Sequence, residues 1–198
     1  MTLTLGGRPD RSQSGFGADL LEALAGCVEL INTGRSSDGE GLSGLADVAA
    51  LGGKYQFQGR APSKEDLPRL RGHRALLDAA ARACEANDVS TAIEVLNGLL
   101  AETGAVPQIV SHDGRGPHVH VSRPSAPLAD RMAAHFAMGL AELIVAGESG
   151  RVRSCSSPAC QDAFIDLSRN RSRRYCDGRT CGNRLHVAAY RARKAAAG

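Results

Sequence analysis

The chain has 198 residues, enough for one domain or for one domain with a small module. Hydrophobic residues make up 42% of it, which can fill a core of helices packed on their apolar faces, while seven aromatic residues and no tryptophan argue against base stacking as a main binding mode. The net charge of +3 hides an uneven distribution: residues 1–150 hold 13 Lys and Arg against 18 Asp and Glu, a net −5, whereas residues 151–198 hold 11 against 3, a net +8. An acidic body joined to a basic tail predicts either a polyanionic partner for the tail or a tail that contacts the body. Arginine outnumbers lysine 21 to 3, a codon-usage sign of a GC-rich bacterial genome rather than of function. The stretch Met1 to Arg8 is too short and too polar for the apolar region of a signal peptide. No run approaches the roughly 18 apolar residues of a membrane span. The expectation is a cytoplasmic protein with reduced thiols.

Residues 1–15 are rich in Gly, Arg and Ser and predict a flexible N-terminus. A mostly helical region follows over 16–148. Phe16, Leu20, Leu24, Val28 and Ile31 recur at helical spacing, with Leu21, Cys27 and Leu30 broadening the stripe. Asn32-Thr33-Gly34 reads as the end of that helix. After a Gly/Ser/Asp-rich loop, Leu45, Val48, Ala49 and Leu51 predict a short second helix stopped by Gly52-Gly53. Ser63-Lys-Glu-Asp66 has the spacing of an N-terminal capping box for a third helix to about Ala86, burying Leu67, Leu70, Leu77 and Cys84. Its opposite face carries Arg69, Arg74, Asp78 and Arg82. Ser90 is the expected cap of a fourth helix, with Ile93, Leu96, Leu99 and Leu100 inside.

The period then changes. Val106–Val110 and Pro117–Ser122 flank Asp113-Gly114, a hairpin signal. From Pro127 the pattern is helical again, and Leu128, Met132, Phe136, Leu140, Leu143 and Ile144 form the strongest long stripe. Gly147 and Gly150 separate this helix from a C-terminal module over 151–198. The expected fold is mainly α with small β elements. A helical N-terminal domain contains one β-hairpin, and a four-cysteine zinc-finger module that ends in a helix follows it.

That module is organised by Cys155-Ser-Ser-Pro-Ala-Cys160, fifteen residues, and Cys176-Asp-Gly-Arg-Thr-Cys181. Two regular C-x4-C pairs in turn-rich segments suit one tetrahedral Zn²⁺. Two disulfides would require an oxidising compartment, of which the sequence gives no sign. Four protein ligands leave no open position, so the metal is expected to be structural. A tail of this size buries little core, and metal binding would supply its folding free energy. Short strands are expected at Arg151–Ser154 and Ala163–Leu167, and a helix from about Gly182 to Ala196. Spacing does not separate a treble-clef-like from a ribbon-like site. Around the metal stand Arg169, Arg171, Arg173, Arg174, Arg179, Arg184, Arg191, Arg193 and Lys194. Guanidinium groups suit phosphate oxygens and guanine edges, so these form the candidate nucleic-acid surface. The competing reading is a solvated face that docks an acidic protein patch.

The two cysteine pairs followed by Gly182-Asn183-Arg184, together with Ser168-Arg-Asn-x-Ser-Arg-Arg-Tyr-Cys176, resemble the CGNR zinc-finger family. Cys27-Val-Glu-Leu-Ile-Asn-Thr33 resembles the apolar-Asn-Thr signature of the ABATE domain, the helical region that precedes the zinc finger in those proteins. The resemblance implies a bacterial, stress-linked transcription regulator with Cys155, Cys160, Cys176 and Cys181 as metal ligands. It also singles out Asn183, as a helix cap or knuckle bond, and Arg184.

Other candidates are weaker. His118 and His120 lie on one face of a strand with His112 across the turn, a set that could bind a second metal or be incidental on an exposed hairpin. His135 reads as a packing residue. Cys27 and Cys84 read as buried structural thiols. Glu29, Asn32, Thr33 and Arg35 cluster at one helix end, where they could line an effector pocket or form a cap and an ion pair. No phosphate loop and no nucleophile–base motif appears, so an enzyme is not expected. The leading functional expectation is DNA binding by the tail, with the N-terminal domain as a sensor for a small molecule or a self-association unit. The alternative is an adaptor that binds the transcription machinery through the zinc module.

Overall fold

A computed structural model of the chain describes residues 17–35, 39–111, 116–177 and 181–196, with only part of the side chains of the last helix. The flexible N-terminus read at 1–15, Phe16, His112, the Asp113-Gly114 turn and Arg179 lie outside the described residues. Five helices form the body: α1 (Ala18–Arg35), α2 (Leu45–Lys54), α3 (Asp66–Glu85), α4 (Val89–Glu102) and α5 (Leu128–Val145). Helix α5 is the central one, packed against α1, α3 and α4. It buries Leu128, Met132, Phe136, Leu140 and Leu143, the stripe that the sequence marks most strongly. Helix α1 contributes Leu24, Cys27, Leu30 and Ile31 to the same core. The two helices approach closely because Gly26 lies against the Phe136 ring and Gly139 against Ala23. A Cβ on Gly26 would stand 2.3 Å from a Phe136 ring carbon.

Three local expectations are corrected by packing. Gly52-Gly53 does not stop α2, which runs to Lys54. Gly52 is buried against Leu128, where an added Cβ would come within 2.9 Å, so it serves close packing rather than termination. The cap of α4 is Asp88, which accepts from the Thr91 backbone N–H at 3.2 Å, while Ser90 lies inside the helix. Ile93 on that helix is 43% exposed and Leu100 is only half-buried; the inward stripe is Ala92, Leu96 and Leu99. The sequence offers two overlapping apolar stripes, and packing against α3 and α5 selects one.

The start of α3 joins two helices at one carboxylate. Asp66 accepts from the Ser63 backbone N–H at 2.7 Å and the Ser63 hydroxyl at 2.9 Å, which is the backward half of the expected box. Its other oxygen accepts from the Ala129 N–H at 2.8 Å and so occupies the N-terminus of α5. Burial works against this charge, but the N–H donors of Ala129 and Ser63 outweigh it and hold the carboxyl below the usual range. Next to it, the buried Arg131 donates to the carbonyls of Gln58, Arg60 and Ala126, fixing the α2–α3 connector on α5. Buried Asp130 accepts from Arg69 and lies 2.8 Å from His73 Nε2, tying α5 to α3.

The expected hairpin forms from β1 (Gln108–Val110) and β2 (His118–His120), antiparallel with Ile109 opposite Val119. Ile109 and Val119 face outward, while the alternate face carries His118 and His120 toward the body. Beyond α5, a 3-10 turn at Ser149–Arg151 leads into β3 (Val152–Ser154), antiparallel to β4 (Ala163–Ile165), and the described chain ends with α6 (Cys181–Ala196). Strand β3 packs on α3 and β4 on α1. Val152, Ala163 and Ile165 belong to the same apolar core as the helices, so the short linker at 148–151 is not a loose joint.

Candidate metal centre and its basic surround

The turn between β3 and β4 supplies the first two thiols. The Cys155 N–H donates to Asp162 O at 2.9 Å and the Cys160 N–H to Ser157 O at 3.0 Å, folding the C-x4-C segment into a knuckle. The third thiol comes from the returning loop, held by the Ser156 N–H donating to Arg174 O at 2.8 Å. The fourth, Cys181, opens α6. This is the placement of a treble-clef-like site, with a hairpin knuckle and a helix N-terminus. All four sulfurs are buried and lie within 4.8 Å of one another. Cys160 Sγ and Cys176 Sγ are 3.7 Å apart, and Cys176 Sγ and Cys181 Sγ 3.9 Å. A tetrahedron with Zn–S near 2.3 Å has S···S edges of about 3.8 Å. A disulfide would require about 2.05 Å, and all six cysteines of the chain are free. The donor set therefore fits one Zn²⁺, whose role is a fixed cross-link of four thiolates. Burial pushes the Cys160 and Cys176 thiols up, the latter to about 11, so a cation is what makes four thiolates tolerable in this space.

The loop between the pairs is organised by a fully buried carboxylate. Asp166 accepts from Ser168 N–H and Oγ and from Arg173 N–H at 2.5–2.9 Å. Burial opposes its charge, and these donors together with Arg153 hold it below the usual carboxylate range. Arg151, itself buried, donates to the carbonyls of Asp166 and Ser168 and pairs with Glu148. The module thus uses several of its arginines on itself. Arg173 lies over the Phe164 ring at 5.1 Å, donates to Tyr175 O and pairs with Asp177. Arg171 pairs with Glu148. Arg169 and Arg174 are exposed with no ion pair among the described residues, and Arg191, Arg193 and Lys194 are exposed on α6. The side chain of Arg184 lies outside the described set; Asn183 is exposed in the first turn of α6.

The residues of the helix-end cluster reach separate partners, and Arg35 also lines a cavity of about 270 Å³ with Arg74, Asp78, Arg82 and Gln161. Asn32 donates from Nδ2 to Ala163 O at 3.0 Å and accepts from Ala163 N–H at 2.7 Å, pairing its amide with the outer edge of β4. Arg35, only 5% exposed, pairs with Asp78 at 2.5 Å and donates to Ser154 Oγ and Gln161 O. Glu85 accepts from the Ser154 N–H and hydroxyl. Thr33 donates to Leu30 O and accepts from Arg74. Glu29 instead points to Lys54 and to the Tyr55 hydroxyl. Asn32 and Arg35 therefore anchor the zinc module to the body. Helix α3 supplies Asp78, from the face opposite its apolar stripe, and Glu85 to the same junction. Neither role has a signal in the sequence, because the partners lie 43 to 131 residues away along the chain.

Cys27 and Cys84 are buried, and burial raises both thiols, as a structural role requires. Of the hairpin histidines, His118 Nε2 and His120 Nε2 are 3.2 Å apart. Among the described residues the four cysteines are the one group of three or more ligand atoms within that 4.8 Å spread. His135 is half-buried edge-on to Phe57 and lines a cavity that also includes His118 and His120.

Fold and site together define a helical domain carrying a docked four-cysteine zinc module. Residues 151–194 match the family model described as "CGNR zinc finger". Residues 24–147, more than half of the chain, match the one described as "ABATE: Putative stress-induced transcription regulator". The chain belongs to the ABATE family, with a CGNR zinc finger as its C-terminal module. No curated protein matches it. No helix among the described residues is long and apolar enough to cross a membrane.

Proposed function

We propose that this protein is a bacterial transcription regulator that binds DNA through the zinc-stabilised module. The observation that supports this most is the arrangement of charge. The segment 151–198 carries net +8, and a closed four-cysteine cluster holds its two exposed basic groups on one rigid frame. Arg169, Arg171 and Arg174 stand on the loop between the cysteine pairs, and Arg191, Arg193 and Lys194 on α6. Docking to the acidic body leaves these groups exposed, since the body is held through Asn32, Arg35 and Glu85 instead. Phosphate contacts of this kind position the protein, and base contacts or DNA shape specify the site. The body is then the natural place for sensing or self-association.

The test is the salt dependence of duplex binding. The slope of log K against log [salt] should be steep, and its magnitude should fall by about 0.9 for each phosphate that a variant no longer neutralises. Arg169→Ala/Arg174→Ala is the informative variant, because Arg173 also stacks on Phe164 and its removal would disturb the fold. An unchanged slope in a folded variant would leave the adaptor reading, in which the same surface meets an acidic protein of the transcription machinery.

A further inference from the structure

A cavity of about 530 Å³ lies in the body, between the start of α1, the α2–α3 connector, the β1–β2 hairpin and α5. Three imidazoles (His118, His120, His135) and two carboxylates (Asp19, Glu22) line it. Such a mixture of nitrogen and oxygen donors suits a borderline divalent ion. We propose that this cavity binds a divalent first-row transition-metal ion, with Nε2 of His118 and His120 as its anchoring ligands.

The geometry of the histidine pair carries the proposal. The two residues are neighbours on one face of β2, and their Nε2 atoms lie 3.2 Å apart. Two nitrogens bound to one ion at about 2.1 Å stand about 3.0 Å apart at a right angle and about 3.4 Å apart at the tetrahedral angle. The observed separation falls between these limits. The second ring nitrogen of His118 is also in place: Nδ1 lies 3.0 Å from Gly116 O. A carbonyl only accepts, so this contact puts the proton on Nδ1 and leaves a lone pair on Nε2. That is the outer-sphere arrangement through which metal-bound imidazoles are usually oriented. A simple His–His hydrogen bond would satisfy the distance, but would not account for two carboxylates and a third imidazole around the same space.

A second observation points to an occupant. The Ser122 hydroxyl, buried at the end of the hairpin, lines this cavity and has no hydrogen-bond partner among the described residues. An orphaned buried hydroxyl is costly, and a metal-bound water or a ligand oxygen would satisfy it. Among the described residues, the His, Asp and Glu side chains that line the cavity from other elements are Asp19 and Glu22 on α1 and His135 on α5; Arg131 lines it too but is committed to three carbonyls, so carboxylate or imidazole completes the set by turning toward the pair. The positions left open face the cavity, which gives the ion a place to present a small anionic or nitrogenous ligand. This site is separate from the cysteine cluster and does not depend on the DNA-binding reading.

The experiment uses the full chain loaded with one zinc per molecule, without nucleic acid, and titrates it with Co²⁺ by visible absorption and calorimetry. A second equivalent should bind with weak d–d bands and no sulfur-to-metal charge transfer. His118→Ala/His120→Ala, and separately His118→Gln/His120→Gln to preserve volume, should weaken it by at least about tenfold. Zinc content and the far-UV circular dichroism should stay unchanged. Binding of no second equivalent overturns the proposal. So does a second equivalent that survives both double variants, or cobalt that shows only sulfur charge transfer and has therefore exchanged into the cysteine site.

Discussion

Replacing Asn32 with Ala removes one side chain from α1, yet its effect should appear in the zinc module. The amide of Asn32 is bonded to both backbone polar groups of Ala163, at 2.7 and 3.0 Å. Ala163 is buried, and its opposite residue on β3 is Ser154, so among the described residues no other strand lies on that edge of β4. The variant leaves one N–H and one C=O without their partner in a partly buried junction. Each such group costs about 1–3 kcal/mol. With partial access of water to the pair, the docked state is weakened by about 2–4 kcal/mol, which raises the undocked population by about 30- to 700-fold. Zinc should remain bound, because none of the four thiols touches Asn32. Hydrogen exchange read by mass spectrometry checks this. The peptide spanning 161–167 and the facing peptide of α1 should become less protected together, at one zinc per chain. Protection at Ala163 within about 0.5 kcal/mol of the native chain would refute the idea that this amide pair holds the module.

Two further expectations follow from packing and from the metal. Gly26→Ala places a methyl group against the ring of Phe136, which is fully buried. Over-packing of this kind should cost about 1–3 kcal/mol, seen as a lower midpoint in urea with an unchanged slope, and Phe136→Leu should partly relieve it. Removal of zinc by a strong chelator should unfold the loop 155–181 and α6, whose small core is the four cysteines with Phe164 and Tyr175. It should spare Val152 and Ala163, which belong to the core of the body. Equal exchange protection of α6 amides with and without zinc would contradict this division.

Much of the molecule follows from short-range pattern. The α5 stripe, the hairpin around Asp113-Gly114 and the two C-x4-C pairs are repetitive or stereochemically constrained, and each implies its structure without reference to distant residues. The zinc ligands are legible for the same reason: four thiols at regular spacing in turns suit one tetrahedral metal ion. Local pattern is ambiguous where two apolar stripes overlap, as on α4, or where a glycine serves packing instead of termination, as at Gly52.

Tertiary structure alone decided what the polar residues do. The sequence sets Arg171 and Arg173 beside Arg169 and Arg174 as equals. Folding gives Arg171 to Glu148 and Arg173 to Phe164 and Asp177, and leaves the other two with no ion pair among the described residues. It also gives Asn32 and Arg35 their partners across the junction between helical body and zinc module. The physical reason is that a side chain's hydrogen-bonding capacity is written in the sequence, whereas its partner is a backbone group or carboxylate brought near only when the core closes. Periodicity reports which face is buried; it carries no information about which polar atoms must then meet.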